Sequence, residues 1–494
     1  MTEPDRGLRA RAVVALAWSL LQNWGSRAIS SLVFLALAAF LEPADFGIAA
    51  SAILVAFLLA TISDLGLADA LVQRPALADR DVTLPLLASF VVAVALAAAV
   101  SLAARPIAGA AGLPALAPYL LAAAWTAPVA VAAGIQDALY RRRLAFRILA
   151  LRTLVAGIAG GAVGFGVAAS GHGAAAPLCQ LATATAVGAA WLWARPAWRP
   201  TAAVDARSFR ALLLFGWPIV TLRIVDFAAL RAVDAIILSQ FGAAALGLYT
   251  VASRVYTLLL QLLQAAVASV ALSVLSRIAH DPVRLRRAFL RSTSLAASLG
   301  TPVFLGGAGV APEIADIAFG PRWAGTADIM RPLLLLGGVH CVQFVVGPFL
   351  TAAGRPELVL RLVLFKAAIV LPVLALVRVP DVTSAGRLYA ALLLVETPLA
   401  AAYALRTLGL RARDLVRPVV GPLAAALGAY GATELARAGT SPDLGTAGRL
   451  PLIACVFAGS YAALLAILAR QASSENLRFL RSAWGRPGPD PGES

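Results

Sequence analysis

Long apolar runs separated by short polar stretches set the rhythm of this chain. Runs long enough to cross a membrane, ~20 residues in helical form, fall near 13–41, 46–72, 83–104, 115–136, 148–169, 174–194, 211–240, 246–275, 288–311, 330–353, 358–377, 387–405, 415–436 and 450–469. The pattern predicts an all-α integral membrane protein of about fourteen transmembrane helices. A transmembrane barrel would instead show ~10-residue segments alternating apolar and polar positions. The first run is longer than a signal-peptide core and is expected to remain as a helix.

Composition sharpens this reading. Hydrophobic residues make up 61% of the chain and charged ones 13%, and mean hydropathy is +0.85; a soluble domain carries roughly 25% charge. The net charge of +16 suggests nucleic acid until the basic residues are placed on the helix map. With the N-terminus inside, 29 of them fall at inside loops and ends and 7 at outside ones, the bias of a cytoplasmic face against anionic lipid. Membrane lipids, not nucleic acid, are the partner this charge implies. The bias favours an even helix number, a bacterial inner-membrane location and both termini in the cytoplasm. Cys179, Cys341 and Cys455 lie inside apolar runs and read as small buried hydrophobes, so no disulfide, metal or cofactor is expected.

An offset of 200 residues lays the first two helices on the seventh and eighth. Leu41-Glu42-Pro43-Ala44-Asp45-Phe46-Gly47-Ile48 falls on Phe241-Gly242-Ala243-Ala244-Ala245-Leu246-Gly247-Leu248, with the turn and its glycine in register. Six helices precede residue 200, so both sets start on the same side and the repeat is parallel. The expected architecture is two six-helix lobes around a central cavity, 1–200 and 201–410, then two additional helices in 411–470 and a cytoplasmic tail, 471–494.

The stretches LEPADFGIAASA, ISDLGLADALVQR, DALYRRRLAFRILALR, FGWPIV, LGLYTVASRVY and FGPRWAGTA, in that order, resemble those of the polysaccharide transporters. These are the Wzx-type oligosaccharide flippases of the multidrug/oligosaccharidyl-lipid/polysaccharide superfamily. The likeness runs from about Trp18 to Glu357. It implies a fourteen-helix flippase fold and an undecaprenyl-diphosphate-linked oligosaccharide as substrate, with a polysaccharide polymerase and glycosyltransferases of the same pathway as partners. One departure is Ser273-Val274-Leu275-Ser276, where members often carry a proline.

Ionisable groups at bilayer depth need a partner or a wet cavity. On the seventh helix Arg223, Asp226, Arg231 and Asp234 share a face of about 140° at 100° per residue. On the first, Asn23, Arg27, Ser30 and Ser31 share an arc of about 100°. Guanidinium groups bind phosphate oxygens through paired donors, which makes Arg27, Arg223, Arg231 and Arg254 candidates for holding a diphosphate headgroup. Asn23, Ser30, Gln261 and Lys366 are candidates for lining the cavity, and Asp226, Asp234 and Glu396 for coupling an ion. The bland alternatives stand beside these. Arg223 with Asp226, and Arg231 with Asp234, have the i, i+3 spacing of helix-internal pairs, Lys366 and Glu396 can pair between helices, and His340 reads as a hydrogen-bonded packing residue. The block Arg141-Arg142-Arg143 with Arg147 and Arg152 reads first as an inside anchor and second as a gatherer of anionic lipid.

The function expected is translocation of lipid-linked oligosaccharide repeat units by alternating access, for surface or exopolysaccharide synthesis. A drug or organic-cation antiporter would line its cavity with carboxylates and aromatics. A peptidoglycan-precursor flippase shares the architecture. A membrane glycosyltransferase or polymerase needs a large outer loop with a carboxylate constellation, and the longest outer segments, 312–329 and 437–449, are short. No GxxxxGK[ST] stretch occurs, so ATP hydrolysis by this chain is not expected, and the whole reading is of a transporter rather than an enzyme.

Overall fold

The computed structural model describes residues 3–278, 281–440 and 444–468. The expected tail 471–494 lies outside the described residues, as do the side chains of Asn23 and of 264–278. Every regular element is helical, and no strand occurs among the described residues. Eleven described helices are long and apolar enough to cross a membrane, or twelve if the bent pair Val283–Gly309 and Ala311–Phe319 forms one span. The smaller number than the runs suggest has a structural reason. One 58-residue stretch, Ala206–Leu263, holds two of the expected runs joined through a kink at Gly242, and the first run contributes the shorter apolar helix Trp24–Phe40.

The chain packs as two compact units, Met1–Thr250 and Val251–Ser494. The first holds α1 (Glu3–Phe40), α2 (Pro43–Asp64), α3 (Leu67–Gln73), α4 (Thr83–Ala110), α5 (Ala117–Ala124), α6 (Thr126–Arg142), α7 (Phe146–Ala169), α8 (Ala175–Ala194) and the start of α9 (Ala206–Ile278). In α9 the helical path is interrupted at Gly242, with φ 80° and ψ −175°. Only glycine enters that region without steric penalty.

Two close backbone approaches hold α9 to the first unit. A Cβ added to Gly47 would lie 2.6 Å from the carbonyl carbon of Ala243, and one added to Gly247 would lie 2.6 Å from that of Pro43. The two contacts exchange partners across the 200-residue offset, so the first turns of α2 and of the second half of α9 cross through each other's glycine. Glycine lets backbones meet where lipid gives no hydrophobic drive for association. Further along, Gly66 (φ +70°) packs on Gly216, whose own Cβ would meet the Leu65 carbonyl oxygen at 2.6 Å.

The linker after α8 is strapped to α6. Gln136, fully buried, donates to the Trp198 carbonyl at 2.7 Å and accepts from the Ala197 amide at 3.0 Å. The Trp198 indole donates to the Asp79 carbonyl at 2.9 Å. Backbone groups that would be unsatisfied beneath the bundle thereby find partners.

The second unit holds α10 (Pro282–Gly309), α11 (Ala311–Phe319), α12 (Thr326–Gln343), α13 (Val346–Ala352), α14 (Pro356–Leu376), α15 (Val382–Leu393), α16 (Thr397–Leu408), α17 (Ala412–Gly439) and α18 (Thr446–Leu468). Between α10 and α11 the path bends by 64°. Arg437 of α17 fills the bend: its guanidinium donates to the Gly309 carbonyl that ends α10. It also forms a two-pronged bond with Glu313 in the first turn of α11, at 3.1 and 3.0 Å. Glu434 accepts from both Arg437, at 2.8 Å, and Arg331 of α12, at 3.2 Å. Of the cysteines, Cys341 is buried, but Cys455 is exposed on α18, unlike the buried packing role expected of it.

Candidate substrate cavity

A cavity of about 570 Å³ opens in the first unit, between α1, the α2–α3 turn, α6, α7, α8 and α9. Its walls are small residues: Ala130, Ala133, Gly134 and Ala138 of α6, Ala156 and Gly157 of α7, Ala184, Gly188 and Ala189 of α8. Ser26 and Ser30 of α1 face it. Against this backdrop stand three arginines, Arg141, Arg152 and Arg223, and three carboxylates, Asp64, Asp69 and Asp137. The formal charge of the lining therefore sums to zero, which is how charges become tolerable inside a bundle.

The charges fall into two groups. Asp137, 5% exposed, receives Arg141 Nε at 2.5 Å and Arg152 Nη1 at 2.9 Å. The first is an i, i+4 pair within α6 and the second crosses to α7, so the two ends of the DALYRRRLAFRILALR stretch meet on one carboxylate. In the second group, Arg223 reaches Asp64 at 3.4 Å and Asp69 at 2.5 Å. Local structure explains this. Leu65 and Gly66, at φ 53° and 70°, reverse the chain between α2 and α3 and bring the two aspartates onto one side. Gly66 rests on Gly216, and Arg223 lies seven residues further along α9, two turns away on nearly the same face.

The arginine block after α6 is divided among specific partners. Arg142 donates to the carbonyls of Leu71, Val72 and Pro75 at 3.3, 3.2 and 2.9 Å, and to that of Arg74, capping the C-terminal carbonyls of α3. Arg147 sits over the Trp18 ring, 5.7 Å from its centroid, a cation–π contact.

Other expected site residues lie elsewhere. Arg223 does not pair with Asp226, since its guanidinium is taken by α2 and α3; Asp226 has no ion-pair partner among the described residues. Arg231 pairs with Asp234 at 3.0 Å within α9, and neither lines the cavity. Arg27, half-buried between Ser26 and Ser30, is not part of the lining, and the Asn23 side chain is outside the described residues. Arg141 and Arg152 line the cavity, although the sequence reads their block first as an inside anchor and only second as a gatherer of anionic lipid substrate. The signal that would have found them is the single aspartate, Asp137, at i−4 from Arg141 inside a basic block.

In the second unit Arg254 and Gln261 lie half-buried on α9. Lys366 of α14 approaches Glu396 Oε1 at 3.7 Å. Gln343, the last residue of α12, donates to the same oxygen at 2.6 Å and accepts from Thr397 at 2.7 Å. Both spans are broken here, and Glu396 stands at the N-terminus of α16, where the helix dipole favours a carboxylate. His340 shares a buried hydrogen bond of 2.5 Å with the Tyr256 hydroxyl. Among the described residues no group of three or more His, Cys, Asp or Glu side chains could hold a metal ion.

Comparison with known proteins agrees with this architecture. The succinoglycan biosynthesis transport protein ExoT of Rhizobium meliloti is 25% identical over 354 residues, 71% of each chain. Among solved structures, the lipid II flippase MurJ in an inward closed conformation matches with a TM-score of 0.73 at 13% identity, over 92% of this chain and 99% of that one. An inward-facing multidrug transporter of the MATE family matches with a TM-score of 0.61 at 14% identity, over 77% of this chain and 94% of that one. The chain is thus a multi-pass membrane protein with the fold of these transporters. The model of a family described as polysaccharide biosynthesis proteins matches residues 36–328, more than half of the sequence, and the chain belongs to that family.

Proposed function

We propose that this protein is a flippase that carries an isoprenoid-diphosphate-linked oligosaccharide across the bacterial inner membrane during assembly of a surface or secreted polysaccharide. The observation that carries the proposal is the cavity of the first unit. Its small-residue walls leave room for a polar solute, and its three arginines are held only by carboxylates that an incoming anion can displace. An organic-cation carrier needs the opposite bias, carboxylates without arginine partners. Uniform alternation of access about two six-helix lobes, 1–200 and 201–410, supplies the motion. The basic-residue bias supports a cytoplasmic position for both termini and the Arg141 end of the cavity, where a glycan would be built on its lipid by glycosyltransferases before an outer polymerase joins the units.

Within this reading Arg27, Arg231 and Arg254 belong to later stages of the headgroup's path, with Ser30, Asn23 and Gln261 beside it. Asp226, Asp234 and Glu396 are the places to look for ion coupling, with Lys366 as the resident counter-charge of Glu396. The test is transport of a fluorescent undecaprenyl-diphosphate oligosaccharide in proteoliposomes. Protected, time-dependent signal on the far leaflet supports the proposal. Absence of transport with several glycans, together with export of a small organic cation, rejects it in favour of the antiporter.

A further inference from the structure

The cavity's arginines are not equivalent. Arg223 stands between two carboxylates, with Nη1 on Asp64 and Nη2 on Asp69, so this group is a latch with a net formal charge of −1. Asp137 takes one nitrogen from each of its arginines, Nε of Arg141 and Nη1 of Arg152. A guanidinium has five N–H donors in a planar fork. Nη1 and Nη2 of Arg141, and Nε and Nη2 of Arg152, have no protein acceptor among the described residues. Both side chains border the cavity. Asp137 is buried while the Arg141 side chain is 56% exposed. One carboxylate under two guanidiniums leaves a net positive charge with donors to spare, on the opening of a cavity. The chemistry that matches two converging forks is a pair of linked phosphates, each accepting a bidentate bond.

We propose that Arg141 and Arg152 form the loading site for the diphosphate of an isoprenoid-linked substrate, with Asp137 as the resident counter-charge that the diphosphate displaces. This rests on the flippase reading above and assigns that function's first contact to the α6–α7 junction instead of the α9 arginines. The site lies at the end of the unit that the charge bias places in the cytoplasm, the side on which the substrate is made. Arg223 stays latched on Asp64 and Asp69 while the headgroup loads.

The test measures binding of farnesyl diphosphate, farnesyl phosphate, farnesol and inorganic pyrophosphate to the full-length protein in micelles, across a range of salt. Arg141→Gln and Arg152→Gln are each expected to weaken farnesyl diphosphate by about tenfold or more and to flatten its salt dependence. Asp137→Asn, which removes the competing carboxylate, is expected to strengthen it. That last sign separates a ligand site from a merely structural ion pair, because a structural role predicts weakening in all three variants. Where Asp137→Asn does not fold, the exposed Arg141→Gln and the charge-preserving Arg152→Lys still decide the question: the lysine keeps the salt dependence and loses the preference for diphosphate over monophosphate. Unchanged farnesyl diphosphate affinity in both arginine variants overturns the site. Pyrophosphate binding as tight as farnesyl diphosphate overturns the lipid assignment in favour of a free anion. Wild-type transport of the oligosaccharide lipid alongside unchanged variant affinities would refute the site alone; no transport and no diphosphate binding would refute both proposals.

Discussion

Alanine at either glycine of the α2–α9 crossing should loosen the first unit, and the two substitutions should not add. A Cβ at position 47 would stand 2.6 Å from the Ala243 carbonyl carbon and 2.9 Å from its Cα; at position 247 the distances to Pro43 are 2.6 and 3.0 Å. Carbon atoms pack at ≈ 3.5–4.0 Å and the carbonyl oxygen is nearer still than the carbon, so the two helices must separate by more than about 1 Å to accept one methyl group. The obstacle is backbone on both sides, which cannot rotate away as a side chain can. Overpacking of this kind costs about 1–3 kcal/mol. Because both contacts lie in a single crossing, the separation that admits the first methyl group also makes room for the second. Gly47→Ala with Gly247→Ala should therefore cost clearly less than the two single effects together, by about 0.5–3 kcal/mol of coupling. Unfolding by sodium dodecyl sulfate in mixed micelles, followed by tryptophan fluorescence, gives the four free energies. Single variants as stable as the native protein, or a double variant showing full additivity, would refute the shared crossing.

Three further outcomes follow from the described contacts. Replacing Lys366 with Met, or Glu396 with Gln, strands a buried partner and should destabilise by roughly 2–4 kcal/mol, whereas the double variant should recover much of that loss; the same unfolding assay reads it. Gln136→Leu leaves the Trp198 carbonyl and Ala197 amide without partners and should cost about 1–3 kcal/mol, seen together with faster proteolysis after residue 195. Asp64→Asn with Asp69→Asn removes both negative charges from around Arg223; a cysteine at position 68 should then react faster with a water-soluble maleimide, and equal rates with and without the aspartates would count against the latch.

Hydropathy made the membrane class and nearly every span legible, because a bilayer leaves the backbone few choices. The runs 211–240 and 246–275 stand on either side of one glycine, Gly242, where the backbone leaves helical φ/ψ. The 200-residue offset aligned Gly47 with Gly247, yet only the structure shows them gripping each other's neighbours. Site residues were less legible, for a physical reason. Helix periodicity reports which residues share a face but not the rotation of that face against its neighbours. So Arg223 looked like the partner of Asp226, while its acceptors lie on α2 and α3, 159 and 154 residues away. Arg141 and Arg152 were masked by their surroundings: in a cluster of inside arginines, general attraction to lipid explains every one of them equally well.

The Arg437 cap on the α10–α11 bend gives the last hairpin an obligation to the helices it follows. The bend lies between α10 and α11, yet the cation that quiets the buried Gly309 carbonyl and the first-turn Glu313 comes from α17, beyond residue 410. A twelve-helix relative ending before that hairpin must straighten the bend, move a cation there from within its own lobe, or let water reach it. Loss or gain of the terminal hairpin in evolution is thereby tied to a change at the Glu313 position, so the two should come and go together.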